Sequence, residues 1–116
     1  MAASPVTVVE TEQYRRSIRG LLAEEENAEF INYISRHPDS GAIIAGTGGV
    51  RKVRWRKQGK GQSGGVRIIY YYYSSDLPLY LILAYGKSAR ENLTPREKRR
   101  MKVLAAVLKT GHRKER

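Results

Sequence analysis

Residues 66–73 have the sequence Val-Arg-Ile-Ile-Tyr-Tyr-Tyr-Tyr, and residues 79–85 have the sequence Leu-Tyr-Leu-Ile-Leu-Ala-Tyr. Such runs of β-branched and aromatic residues predict β-strands. The Ser-Ser-Asp segment at residues 74–76 favours a turn between them. Because the second run is apolar throughout, it predicts an interior strand with both faces covered. The two segments therefore predict the centre of a sheet.

A third strand is predicted at residues 50–56, where apolar and basic side chains alternate: Val53 and Trp55 against Lys52, Arg54 and Arg56. Residues 57–65 form a glycine-rich basic segment, which predicts a polar loop. The Gly-Thr-Gly-Gly of residues 46–49 lacks the Gly-Lys-Ser/Thr ending of a phosphate-binding loop, so a flexible connection is expected. Short connections between the three strands predict an antiparallel meander.

The N-terminal part of the chain predicts a short edge strand at residues 6–9 and then two helices. Thr11 is a candidate N-cap for the first helix, and Gly20 is expected to end or bend it. The three glutamates at residues 24–26 favour the N-terminus of the second helix, because carboxylates stabilise the positive end of a helix dipole. Pro38 and its neighbours stop that helix.

The last helix begins at Thr94, which with Glu97 forms a capping-box pattern. The resulting order β-α-α-β-β-β-α predicts an α+β fold with a small, mainly antiparallel sheet, two N-terminal helices and one C-terminal helix. A chain of 116 residues suits one domain, residues 1–116, with a core at about residues 6–110. Residues 111–116 are expected to form a flexible tail.

Charge is distributed unevenly along the chain, whose net charge is +11. Residues 1–50 hold four arginines and seven acidic residues, whereas residues 51–116 hold eighteen lysines and arginines and four acidic residues. This asymmetry predicts that the second half builds a surface for a polyanion. The chain has no cysteine, no evident signal peptide and no apolar run long enough to span a bilayer, so a cytoplasmic protein without a membrane partner is expected.

Several of the basic residues are expected to lie together. Lys52 and Arg54 share a face of their strand because residues two apart point the same way. Arg67 joins them if its strand presents it to the same side, and Lys87 and Arg90, just beyond the last strand, are placed at the rim. These five residues are expected to form one basic patch for RNA.

Further contacts to RNA are predicted from neighbouring basic residues and tyrosines: Arg51, Arg56, Lys57, Lys60, Tyr71 and Tyr73. Lysine and arginine bind phosphates, and aromatic rings stack on unpaired bases. Half of the tyrosine run must face the core, however, because tyrosine is also a good strand former.

The segments around these residues resemble the RelE superfamily of toxins, and in particular its HigB-like branch. The resemblance is carried by Gly-Thr-Gly-Gly-Val-Arg-Lys-Val-Arg at residues 46–54, by Gly-Val-Arg-Ile-Ile-Tyr-Tyr at residues 65–71 and by Leu-Ala-Tyr-Gly-Lys at residues 83–87. It covers roughly residues 6–110, and the central strands are its most specific part.

The resemblance implies a toxin of a type II toxin–antitoxin module. Relatives inhibit translation by cleaving mRNA, generally in the ribosomal A site, and are neutralised by a cognate antitoxin, here of the HigA-like, helix-turn-helix kind. The family's basic residues map onto Lys52, Arg54, Arg67, Lys87 and Arg90. Some members carry a C-terminal tyrosine that contacts the substrate, and here the corresponding position is Leu93 or Thr94.

Lysine and arginine are expected to carry the chemistry without a metal or another cofactor, because the sequence offers no histidine pair and few acidic residues after position 50. Arg54 and Arg67 are the expected donors to the phosphate in the transition state. Lys52 is the expected base, since neighbouring cations disfavour its charged form. Lys87 or Arg90 is expected to serve the leaving oxygen or a flanking phosphate.

Two other functions fit the same composition. A basic RNA- or ribosome-binding module without chemistry would use the same face. A DNA-binding regulator is weaker, because no helix-turn-helix is evident and the last helix needs its apolar side for the core.

Overall fold

The computed structural model describes residues 4–56 and 65–111. It consists of one five-stranded sheet and three helices, in the order β1 (Val8–Glu10), α1 (Glu12–Ile18), α2 (Glu24–Arg36), β2 (Ala42–Ile43), β3 (Val50–Trp55), β4 (Val66–Tyr71), β5 (Leu79–Gly86) and α3 (Pro95–Gly111). The strand order is β1-β5-β4-β3-β2, with β1 parallel to β5 and every other pair antiparallel. The expected α+β fold, the meander of β3 to β5 and the interior position of β5 are confirmed.

The sheet carries a separate apolar core on each face. One core joins α1 and α2 to the sheet, with Tyr14, Phe30 and Tyr70 among its fully buried side chains. The other core joins α3 to the sheet and includes Ile69 and Met101. This division follows from the alternation of side chains along β4, which sends Ile69 and Tyr70 to opposite faces.

The predicted helix starts are confirmed by their capping hydrogen bonds. The Tyr14 backbone N–H donates to Thr11 Oγ1 over 3.1 Å at the start of α1. At the start of α3, the backbone N–H of Glu97 donates to Thr94 Oγ1 over 3.1 Å, and the backbone N–H of Thr94 donates to Glu97 Oε1 over 2.8 Å. α1 ends at Ile18, before Gly20, whose φ of 81° favours glycine.

The segment before β3 differs from the sequence prediction, because it contains the short strand β2 and a hydrogen-bonded turn instead of a flexible connection. The Ile44 backbone N–H donates to the Val50 carbonyl over 2.8 Å, which closes the turn. Thr47 is fully buried inside it; its hydroxyl donates to the Ile44 carbonyl over 2.6 Å and accepts from the Val50 N–H over 3.0 Å. A two-residue strand and a turn held by one threonine are too short to give a periodic signal.

Tyr70 joins the sheet to the segment that leads into β2. Its side chain is fully buried, and its hydroxyl donates to the Pro38 carbonyl over 2.8 Å and accepts from the Gly41 N–H over 2.9 Å. Only glycine fits at position 41, because a Cβ on Gly41 would lie 2.9 Å from the Tyr70 ring and hydroxyl. Tyr70 therefore satisfies two backbone groups that secondary structure leaves unpaired.

We expect Tyr70→Phe to lower the free energy of unfolding by about 1–3 kcal/mol, because it leaves buried polar groups without a partner. Burial raises the pKa of Tyr70 in the folded protein. The unfolded chain therefore loses this proton first, and the stabilisation falls as pH rises above about 10. Urea unfolding at neutral and alkaline pH measures both effects, and the variant should lose less stability on the alkaline side. Tyr73→Phe, at a half-exposed ring, is the matched control; an equal loss in both variants would contradict the prediction.

Candidate active site

Lys52, Arg54 and Arg67 point to the same face of the sheet, the face covered by α3. In the antiparallel pairing of β3 and β4, Arg54 lies directly opposite Arg67, and Lys52 lies opposite Ile69 of the α3-side core. Directly opposed residues of an antiparallel pair share a face, with Cβ atoms about 4.5–5.5 Å apart. The strand pairing therefore brings these three residues, here called the basic triad, to one face of the sheet.

The three members of the basic triad differ in how far solvent reaches them. Arg54 is exposed and Lys52 is half-buried, but the Arg67 side chain is only 3% exposed. The Arg67 guanidinium donates to Glu91 Oε2 over 3.2 Å, and the Glu91 side chain is 54% exposed. A buried guanidinium is tolerated where it is paired and hydrogen-bonded. Arg67 thus shares the face of Lys52 and Arg54, but its side chain is buried and Glu91 engages one of its N–H groups.

The loop of residues 87–94, between β5 and α3, folds back onto the basic triad. Lys52 Nζ donates to Asn92 Oδ1 over 3.1 Å and to the Glu91 carbonyl over 3.4 Å. The Tyr85 hydroxyl donates to the same Glu91 carbonyl over 3.2 Å. Strands β3, β4 and β5 therefore each contribute one side chain that holds Glu91. Sequence reasoning missed Glu91, Asn92 and Tyr85 as parts of this site.

Arg90 lies at the rim of the same site, as expected. Its guanidinium carbon stands 4.6 Å from the centre of the Tyr85 ring, and it forms an ion pair with Glu97 at the start of α3. The hydrogen bond from Arg90 is the main reason why the pKa of Glu97 is lowered. Burial raises the pKa of Tyr85, although Arg90 and Arg67 oppose that shift. Lys87, on the same loop, is exposed.

The residues predicted to contact RNA differ in how far they are exposed to solvent. Arg56 is exposed directly after β3, and Tyr73 is 50% exposed with Lys109 Nζ 4.8 Å from its ring centre. Tyr71, in contrast, is 4% exposed and belongs to the α3-side core, so its ring is not available for stacking. Lys57 and Lys60 lie outside the described residues, as do residues 112–116 of the expected flexible tail.

Arg51 also departs from the expected surface. It lies opposite Tyr70 in the β3–β4 pairing, hence on the face of α1 and α2, and its guanidinium donates to the carbonyls of Asp39 and Gly41 over 3.2 and 2.7 Å. This arrangement holds the segment before β2 and keeps Arg51 away from the basic triad. The alternation that groups Lys52 with Arg54 already sends Arg51 to the other face, so the sequence contained this signal.

The two positions compared with the family's C-terminal tyrosine have structural roles here. Leu93 is buried in the α3-side core, and Thr94 caps α3. A tyrosine hydroxyl does lie near the basic triad, but it belongs to Tyr85 of β5.

The architecture is that of a small basic α+β protein. The chain resembles the free-state structure of a double arginine-to-alanine mutant of Escherichia coli toxin RelE, with a TM-score of 0.56 and 15% sequence identity over 87% of this chain and 97% of the other. At 15% sequence identity, this similarity supports a shared fold and nothing more. A family model described as the RelE toxin of the RelE/RelB toxin–antitoxin system matches residues 8–115. The chain therefore belongs to the RelE toxin family, and membership implies an antitoxin partner. Within the described ranges, no helix is long and apolar enough to cross a membrane.

Proposed function

We propose that this toxin is a metal-independent endoribonuclease that cleaves mRNA, in the ribosomal A site, and so inhibits translation. RelE-family toxins are known as ribonucleases. The observation that carries the proposal is the convergence of Lys52, Arg54 and Arg67 on one face, beneath a loop that adds Arg90 and Glu91. Fixed cationic donors of this kind stabilise a phosphate as its charge develops.

The proposed reaction is attack by a 2′-hydroxyl on the adjacent phosphorus, which gives a 2′,3′-cyclic phosphate and a free 5′-hydroxyl. Arg54, the exposed arginine of the basic triad, binds the scissile phosphate. Arg67, buried beside it in the sheet, adds positive charge. Lys52 is held near these arginines by its two hydrogen bonds to the loop of residues 87–94. Lys87, Arg90 and Arg56 serve the flanking phosphates, and the exposed Tyr73 stacks on a base.

We further propose that the protein is a cytoplasmic toxin of the HigB-like branch. The motifs at residues 46–54 and 65–71 support that assignment. Its antitoxin would then be HigA-like, with a helix-turn-helix domain. Co-expression with the neighbouring open reading frame should restore growth and yield a complex that can be purified.

We expect Lys52→Ala to reduce cleavage by about 10²–10⁴-fold, the range typical for loss of a proton-transferring group, while RNA binding falls far less. The measurement is the mapping of mRNA 5′ ends after incubation with translating ribosomes, alongside binding to a 2′-deoxy substrate that cannot react. Lys102→Ala, which removes the same charge from an exposed position of α3, is the matched control. A Lys52→Ala variant that cuts at the normal rate would remove this residue from the mechanism.

The second candidate function is RNA or ribosome binding without cleavage, which the burial of Arg67 under Glu91 favours. It predicts inhibited translation with intact mRNA. Mapped 5′ ends that are identical with and without the toxin would establish this alternative and overturn the ribonuclease proposal.

A further inference from the structure

Glu91 brings a carboxylate into contact with the basic triad. Glu91 Oε2 lies 3.2 Å from Arg67 Nη2, and 54% of the Glu91 side chain remains exposed. Burial of the carboxylate together with the arginine would keep it away from any substrate. Here the arginine is buried and the carboxylate faces outward, where a substrate can reach it.

The position of Glu91 does not depend on its carboxylate alone. Its backbone carbonyl accepts hydrogen bonds from Lys52 Nζ over 3.4 Å and from the Tyr85 hydroxyl over 3.2 Å. These contacts from β3 and β5, together with Arg67 from β4, fix the residue on three strands. A reacting group needs such prior fixation, because a misplacement of about 1 Å can cost about 10²-fold in rate.

The surroundings of Lys52 suit a proton donor. Lys52 Nζ faces two oxygen acceptors, Asn92 Oδ1 at 3.1 Å and the Glu91 carbonyl at 3.4 Å. An ammonium group offers three N–H donors and no acceptor, so this environment matches the protonated side chain. The neighbouring Glu91 carboxylate, in contrast, can accept a proton.

We propose that Glu91 is the general base of the cleavage reaction and that Lys52 is its general acid. The inference rests on the proposed ribonuclease function and names the groups that move its protons. Glu91 takes the proton of the 2′-hydroxyl as the 2′-oxygen forms its bond to phosphorus. The bond from phosphorus to the 5′-oxygen breaks, and that oxygen takes a proton from the Lys52 ammonium. Exchange with water then returns one proton to Lys52 and removes one from Glu91.

An alternative role for Glu91 is to block the site by occupying Arg67, and the two roles predict opposite results. If Glu91 blocks the site, its removal lets the phosphate approach Arg67 and raises the cleavage rate. Removal of the base lowers the rate by about 10²–10⁴-fold. Glu91→Gln separates them, because the amide keeps the shape of the side chain and leaves both hydrogen bonds to the backbone carbonyl available.

The first experiment measures single-turnover cleavage of mRNA on ribosomes by the full-length toxin and by Glu91→Gln. We expect the stated loss of rate, unchanged binding to a 2′-deoxy substrate and an unchanged thermal unfolding midpoint. The matched control is Glu12→Gln, which removes a carboxylate that pairs with Arg16 over 3.5 Å on exposed α1. An unchanged or faster rate in Glu91→Gln overturns the proposal.

A modified substrate separates the base from the acid. Replacement of the 5′-oxygen by sulfur makes the leaving group a thiolate, which departs without protonation because thiols ionise near pH 8.5. This substrate should restore cleavage by Lys52→Ala and leave Glu91→Gln slow. Rescue of Glu91→Gln, or none of Lys52→Ala, overturns the two roles. A wild-type toxin that leaves the unmodified mRNA intact would instead overturn the ribonuclease function itself.

Discussion

Arg67→Met is expected to reduce mRNA cleavage by about 10²–10³-fold, the usual loss when one fixed donor to a developing charge is removed, while the protein remains folded. The Arg67 side chain is 3% exposed and lies between Arg54 and Tyr85 in the sheet. Met fills similar volume with flexible apolar atoms. Glu91, half exposed already, returns to water when its partner is removed. Loss of one partner is strongly destabilising when it leaves a buried unpaired charge, and the Glu91 carboxylate is not buried.

Arg67→Lys extends the same test by retaining the charge. Lysine lacks the planar set of donors that lets arginine bind an oxyanion and a carboxylate together. We therefore expect an intermediate cleavage rate, above that of Arg67→Met and below wild type. Single-turnover cleavage on ribosomes and urea unfolding of the same preparations separate activity from stability. Wild-type activity in Arg67→Met would show that the buried arginine has no part in the chemistry.

The strand that carries Arg67 also shows why part of the site was predictable. The side-chain period of a strand is two residues, so the sequence of β3 fixes which side Lys52 and Arg54 take relative to Val53 and Trp55. The apolar residues Ile68 and Ile69 on β4 show that both of its faces are covered. These local patterns were sufficient to place Lys52 and Arg54 on one face, whereas the position of Arg67 beside them depends on the register between β3 and β4.

Glu91 illustrates what the sequence could not supply. The residue lies in a loop without periodicity, and its partners Lys52 and Arg67 are 39 and 24 positions away along the chain. Only tertiary packing brings them together. The contact of the buried Arg67 with Glu91 has the same origin, because the sequence of β4 alone does not predict that the loop after β5 meets this side chain. The family resemblance transferred the basic positions but not their acidic partner.

Phe30→Ala is expected to give the largest loss of stability, about 3–5 kcal/mol. The Phe30 side chain is fully buried between α2 and the sheet, and its ring meets the Trp55 ring edge-on with centroids 5.2 Å apart. Removal of the ring leaves a cavity and abolishes an aromatic pair that contributes about 0.5–1.5 kcal/mol beyond its buried area. Small domains are stable by only about 5–15 kcal/mol, so the variant should fold but unfold at a much lower temperature.

The consequence for activity follows from the two faces of β3. Trp55 packs towards α2, while Arg54, its neighbour in the strand, points to the α3 side. The cavity therefore opens on the face opposite the basic triad. At a temperature where Phe30→Ala is fully folded, its cleavage rate should remain close to wild type, in contrast to Arg67→Met. Circular dichroism melting and cleavage assays below the melting transition measure the two quantities, with Phe30→Leu as a milder control. A folded Phe30→Ala protein that does not cleave would mean that the packing of Trp55 sets the position of Arg54 across the strand.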